Sequence, residues 1–136
     1  MTVDQPLAGA PRVLVVDDEP AICRALSRVL LRAGFDPVTA CSAADADRAL
    51  DTSIDAMVLD LRLSYTRGDV FFHQATARFP KLRGRTLMMS GDTSPEAERL
   101  AGLAGCLCLF KPFRNAELTD ALRRFFAGSE TIASAR

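Results

Sequence analysis

Five short apolar runs recur along this chain, at residues 12–16, 36–40, 55–59, 85–89 and 106–110, each separated from the next by a longer segment. The separating stretches carry apolar residues at helical spacing, so strands and helices are expected to alternate. Strands that are apolar on both faces are stable only between two layers of helices, and each parallel pair needs a crossover long enough to hold a helix. The pattern predicts an α/β fold, a doubly wound five-stranded parallel sheet with five helices. The first, third and fourth runs are apolar almost throughout, as central strands should be. The second contains Pro37 and Thr39 and reads as an edge, because proline donates nothing to a ladder.

Helix signals agree with this order. Ile22, Ala25, Leu26, Val29, Leu30 and Ala33 fall on one stripe of the first helix, which would face a sheet. Pro20 suits its opening turn, Gly34 supplies the left-handed residue after its end, and Phe35 can fold back on it. The second and third helices fall near residues 42–50 and 68–79. Ser94 and Pro95 open the fourth as cap and first residue. Asn115 reads as the cap of the last, which carries Leu118, Ala121, Leu122, Phe125 and Phe126 on one face. The ends of the chain are small, polar and aperiodic, so the expected organisation is a tail at 1–11, one domain at 12–127 and a tail at 128–136.

A chain of 136 residues can bury one ordinary core without staples. Seventeen Lys plus Arg balance seventeen Asp plus Glu, which leaves no global field for a phosphate backbone or an anionic membrane. Direct nucleic-acid binding is therefore not expected. The longest apolar run has eleven residues and ends at Phe110, against the roughly twenty that a membrane-spanning helix requires. No basic and apolar leader opens the chain, so a cytoplasmic location is expected. Cys23, Cys41, Cys106 and Cys108 show no C-x-x-C spacing, and His73 is the one histidine; the thiols read as small, reduced interior side chains rather than zinc ligands.

In such a sheet, ligands gather beyond the C-terminal ends of the strands. Asp17 and Asp18 follow the first strand, Asp60 the third, Ser90 the fourth, and Lys111 with Pro112 the fifth. Each alone has an ordinary explanation: Asp17, Asp18 and Glu19 can cap a helix, Asp60 and Ser90 can occupy turns, and Lys111 can be an exposed stem. Four successive strand ends with matching chemistry form the stronger pattern. Converging carboxylates repel one another unless a cation neutralises them. Ligands that are all oxygens suit Mg²⁺ better than zinc. Lys111 would then serve as a point charge for a phosphoryl oxygen, with the Ser90 hydroxyl as a donor to another. Asp60, alone at the end of the most apolar strand, is the best nucleophile, while the Asp17–Asp18 pair is better suited to hold the ion.

These residues also carry a resemblance. VLVVDDEPAICRAL, MVLDLRLSYTRGDV, TLMMSGD and CLFKPF resemble the successive motifs of bacterial response-regulator receiver domains, as does the 30-residue step from Asp60 to Ser90. The resemblance implies a flavodoxin-like fold with strand order 2-1-3-4-5. It implies Asp18 as a direct Mg²⁺ ligand, Asp17 as a ligand through water, and Asp60 and the backbone carbonyl of Arg62 as the remaining ligands. Asp60 would take phosphate from a sensor histidine kinase or a histidine phosphotransfer protein, and the Lys111–Pro112 bond would be cis. Ser90 would move toward the phosphoryl group, and the surface of the fourth helix, fifth strand and fifth helix would alter affinity for a downstream protein target. Such a domain is a phosphoacceptor rather than an enzyme acting on other substrates, and is monomeric or dimerises on phosphorylation.

Three positions depart from the family pattern. Ser64, beside Tyr65, stands where a proline is usual. Cys108 stands at the rotating aromatic, and it has no ring to swing; Phe110 reads as core packing rather than as a replacement. Arg62 and Asp92 add charge near the site and are expected to pair across its mouth. Two other readings stay open: a phosphatase of the haloacid-dehalogenase kind, which wants an acid where Arg62 stands, and a receiver-like interaction module that is never phosphorylated. No glycine-rich phosphate loop follows any strand.

Overall fold

The structure is a computed structural model that describes residues 6, 8–63, 67–91 and 95–134, with the backbone alone at 96, 101, 103, 104 and 128–134. Its elements run β1 (Arg12–Val16), α1 (Pro20–Arg32), β2 (Asp36–Ala40), α2 (Ala43–Ala49), β3 (Ala56–Asp60), α3 (Gly68–Arg78), β4 (Thr86–Ser90), α4 (Pro95–Ala104), β5 (Leu107–Phe110) and α5 (Asn115–Ser134). All strand pairs are parallel and the order is β2-β1-β3-β4-β5, the flavodoxin-like arrangement. The order reverses between β1 and β3, so their C-terminal ends border the crevice where ligands of such folds collect.

Alternation along the strands divides the core into two layers. Val13, Val15, Ala56, Val58, Leu87 and Met89 pack under α1 and α5 with Leu26, Leu30, Phe35 and Leu118. On the other face, Leu14, Val16, Met57, Leu59 and Met88 pack with Phe71, Phe72, Leu82 and Ala97. Complete burial of a side chain such as Leu30 stabilises the fold by roughly 2 kcal/mol. α1 begins at Pro20 and ends as its sequence suggests: Gly34 has φ 95°, its N–H donates to Leu31 O, and Phe35 N–H donates to Leu30 O at 2.9 Å. The Ser42 hydroxyl caps α2 by accepting from Asp45 N–H at 3.0 Å.

Several boundaries differ from the expected ones. β3, β4 and β5 each begin one residue later than the apolar runs suggest. The ladder pairs Asp60 with Met89 and Ser90 with Phe110, so these polar residues end strands rather than follow them. Pairing with a neighbour draws the last polar residue into register, and apolar content alone cannot reveal that. Asn115 is the first helical residue of α5, not its cap. Arg114 holds that place: its N–H donates to Glu117 Oε1 at 2.9 Å while Glu117 N–H returns to Arg114 O at 2.9 Å, so the glutamate satisfies the helix start from inside. α5 continues to Ser134, into the stretch expected as a tail. A 3₁₀ turn at Pro80–Gly84, not signalled by periodicity, buries Leu82 completely. The Ser94 cap lies outside the described residues. Of the cysteines expected inside, Cys23 is buried while Cys41, Cys106 and Cys108 are half-buried, because they lie at the end of β2 and along the β5 edge.

Candidate acidic site at the strand ends

Asp17 leaves β1 with its backbone tied to the neighbouring strand end, its N–H donating to Ala40 O at 3.2 Å. Its carboxylate is fully buried, and Oδ1 accepts from Glu19 N–H at 2.9 Å in the turn that starts α1. Asp60 ends β3, is 6% exposed, and accepts from Arg62 N–H through Oδ1 at 2.9 Å. Carboxylate oxygens of Asp17, Asp18 and Asp60 all lie within 4.8 Å of one another. Lys111 arrives from β5 with its N–H on Ser90 O at 2.7 Å, and its following bond to Pro112 is cis. Its ammonium donates to Asp17 Oδ2 at 2.9 Å and to Asp60 Oδ2 at 3.0 Å. Ser90 is buried beside this group, at the wall of a 380 Å³ cavity that Arg62, Arg67 and Leu63 also line. Five predicted residues from four separate strand ends are thus neighbours, with Arg62 joined to them through its backbone.

Charge is unevenly matched here. Burial pushes the Asp60 carboxyl above its ordinary range and the nearby Asp17 charge adds to that, while the Arg62 N–H and Lys111 pull in the opposite direction. Burial alone would lower Lys111, but hydrogen bonds and attraction from Asp17 and Asp60 outweigh it and leave the ammonium held above its ordinary value. The two buried carboxylates, Asp17 and Asp60, share one ammonium, and the Asp18 carboxylate stands close by. Every donor is a hard oxygen and two of the carboxylates are buried, which fits a divalent ion such as Mg²⁺ and not a metal that prefers sulfur or imidazole.

Two supporting residues escape sequence reasoning. Gly68 opens α3 directly beneath Asp60: a Cβ there would stand 2.2 Å from Asp60 O, so any side chain would displace the strand end. A glycine eight residues after a strand-end aspartate is a faint signal, visible only once the loop's path is known. Cys23 reaches from α1 to donate through Sγ to Asp17 O at 3.3 Å, and its spacing in the helix looks like ordinary core. Arg67 pairs with Asp69 at 3.2 Å at the start of α3, and Arg62 forms a short antiparallel bridge with Arg67. Ser64, Tyr65 and Asp92 lie outside the described residues, and with them the expected Arg62–Asp92 pair. Cys108 and Phe110 are half-buried against the core beneath α4, so Phe110 packs as expected.

Comparison with known proteins agrees with this geometry. The sequence profile of the family described as response regulator receiver domain matches residues 13–123. The transcriptional regulatory protein PrrA of Mycobacterium leprae is 35% identical, over 92% of this chain and 57% of its own length. A protein-glutamate methylesterase/protein-glutamine glutaminase of Anaeromyxobacter dehalogenans is 39% identical over 65% of this chain and 25% of its own. The chain thus spans little more than half of one of these relatives and a quarter of the other. Among solved structures, a CheY-like receiver domain protein from Methanospirillum hungatei superposes with TM-score 0.80 at 21% identity, covering 90% of this chain and 98% of its own. Chemotaxis protein CheY4 of Vibrio cholerae superposes with TM-score 0.77 at 27% identity, covering 86% and 99%.

Proposed function

The chain belongs to the response-regulator receiver family of two-component signalling, and on that premise we propose that Asp60 accepts a phosphoryl group from a phosphohistidine donor and that phosphorylation changes how the domain binds a protein partner. The observation that carries this reading is the Lys111 ammonium, held between Asp17 and Asp60 at 2.9 and 3.0 Å within a cluster of three carboxylates. A half-buried lysine there is useful when a further anion arrives.

The roles follow from chemistry. An Asp60 oxygen attacks phosphorus as the donor's P–N bond breaks, and the product is an aspartyl phosphate. Arg62 N–H and Lys111 hold the carboxylate in one orientation, so little has to move before attack. Lys111, kept charged by its neighbours, follows the negative charge onto a phosphoryl oxygen. The Ser90 hydroxyl donates to another. Asp18 directly, Asp17 through water, Asp60 and the Arg62 carbonyl are the residues that would hold Mg²⁺. When bound, Mg²⁺ supplies the positive charge that lets a phosphoryl group approach three carboxylates. Receiver domains work with histidine kinases and downstream effectors; here a sensor kinase or histidine phosphotransfer protein is the proposed donor and a protein target the proposed receiver of the signal.

Incubation with acetyl phosphate and Mg²⁺ followed by intact-protein mass spectrometry tests this. One added phosphoryl group is expected, and none after Asp60→Asn or with a chelator. An unmodified wild-type protein would overturn the reading in favour of an interaction module that never takes phosphate.

A further inference from the structure

The chain leaving β3 turns back on itself before α3 begins. Leu61 N–H still donates to Met89 O at 2.9 Å, and Gly68 N–H then closes the turn on Leu61 O, also at 2.9 Å. Inside that closure Arg62 and Arg67 stand opposite each other in an antiparallel bridge, and both line the 380 Å³ cavity beside Ser90. Two arginines so placed repel, since side chains opposed across a bridge lie on one face of it. Asp69 answers one of them. Its carboxylate is 7% exposed in the first turn of α3, where Oδ2 accepts from Arg67 Nη2 at 3.2 Å. Arg67 Nε stands 3.2 Å from Oδ1 as an ion pair without a hydrogen bond. The helix that carries Asp69 is itself fixed, because Phe71 and Phe72 are buried in the core.

We infer that Asp69 is a positioning residue: by neutralising Arg67 it keeps the Arg62–Arg67 bridge closed, and the closed bridge holds the Arg62 N–H on the phosphoacceptor Asp60. The role of Asp60 in this statement rests on the phosphoacceptor reading above. The link to Asp60 is short. Arg62 N–H donates to Asp60 Oδ1 at 2.9 Å, and its direction is set by the rigid peptide plane that joins Leu61 to the bridge. Opening the bridge turns that plane, and the carboxylate loses one of the donors that orient it for attack. Without the Asp69 charge, Arg67 and Arg62 repel more strongly and the two sides of the turn move apart. An acidic residue early in a helix also complements the helix dipole. That effect does not depend on a charge at residue 67, and the difference separates the two roles.

Nuclear magnetic resonance and kinetics on the intact protein test this. In the metal-free protein, Asp69→Asn should raise the hydrogen-exchange rate of the Arg62 N–H roughly threefold, the worth of one cross-strand charge pair, and phosphorylation by acetyl phosphate with Mg²⁺ should slow by a similar factor. Asp69→Ser removes the same charge with a smaller side chain and should behave alike, so the test does not hang on one variant folding. The effect on exchange should shrink in about 1 M salt, where charges are screened within about 3 Å. Adding Arg67→Gln to Asp69→Asn should restore both rates, because the opposed charge is gone. Unchanged exchange at Arg62 in the aspartate variants would overturn the inference. So would a defect that persists in the double variant, which would assign Asp69 to the start of α3 alone. Faster exchange with an unchanged rate of phosphate uptake would overturn the link to Asp60. Should the wild-type protein take no phosphate at all, the phosphoacceptor reading fails, while exchange at Arg62 still decides whether Asp69 holds the bridge.

Discussion

Replacing the proposed phosphoacceptor by its neutral isostere should stabilise the protein. Like charges within 4.8 Å repel by about 3.5 kcal/mol or more at an effective dielectric near 20. Asp60 has two such neighbours, Asp17 and Asp18, whereas Lys111 at 3.0 Å attracts it by about 5.5 kcal/mol. Burial is what disfavours the charge most, with the Asp17 charge adding to it, and together they outweigh the help of Lys111 and the Arg62 N–H. Asp60→Asn removes the charge and keeps an oxygen for Arg62 N–H. Without Mg²⁺ at pH 7 the substitution should raise stability by about 1–2 kcal/mol, or Tm by roughly 3–7 °C. The pH dependence has a defined sign. Burial, the largest influence, raises the folded-state Asp60 carboxyl above its ordinary 3.8, so the folded protein holds this proton more tightly than the unfolded chain. Support from the protonated form is complete below the unfolded value and is lost as pH rises through the folded value. The advantage of the substitution should accordingly be full at pH 7 and shrink as pH falls toward 4. Mg²⁺ at about ten times its Kd should stabilise wild type by about 1.4 kcal/mol and the variant by less. Urea unfolding followed by circular dichroism in chelator, at pH 7 and pH 5, measures the difference. A neutral or destabilising effect at pH 7, or a gain unchanged by pH, would refute the charge imbalance.

Lys111→Met takes the ammonium away from Asp17 and Asp60; since the lysine is 23% exposed, the loss should be about 2–3 kcal/mol rather than the full cost of a buried pair, and unfolding curves should show it narrowing when Mg²⁺ is added. Gly68→Ala forces a Cβ to within 2.2 Å of Asp60 O, so denaturation should report a loss of about 1–3 kcal/mol and mass spectrometry slower uptake of phosphate; wild-type behaviour in both would mean the loop yields freely. Leu82→Ala opens space in the fully buried 3₁₀ turn and should cost about 2–5 kcal/mol in urea unfolding, with phosphorylation rate unaltered because the site lies at the opposite end of β4.

Much of the fold is legible in short stretches of sequence. Apolar runs such as VLVV in β1 and AMVL in β3 identify central strands, Pro37 identifies the β2 edge, and Pro20 with Gly34 bounds α1. These features are local, governed by backbone sterics and burial, so a window of ten residues is enough to read them. The Asp17–Asp18 pair, Asp60, Ser90 and Lys111 are visible for a related reason: a polar residue at the end of an apolar strand stands out against its surroundings. Other features depend on what lies across the chain. That Asp60 and Ser90 lie inside the ladder is decided by Met89 and Phe110 opposite them, and that Arg114 rather than Asn115 caps α5 is decided by the reach of Glu117. The approach of Lys111 to within 3.0 Å of two aspartates from other strands, the fit of Gly68 under Asp60, and the reach of Cys23 to Asp17 O all arise from packing. Sequence by itself determined which elements form and which polar groups end them, because propensity and hydrophobic period act over a few residues. Only the tertiary structure decided which of those groups touch, because distances between strand ends are set by register and helix packing summed over the whole sheet.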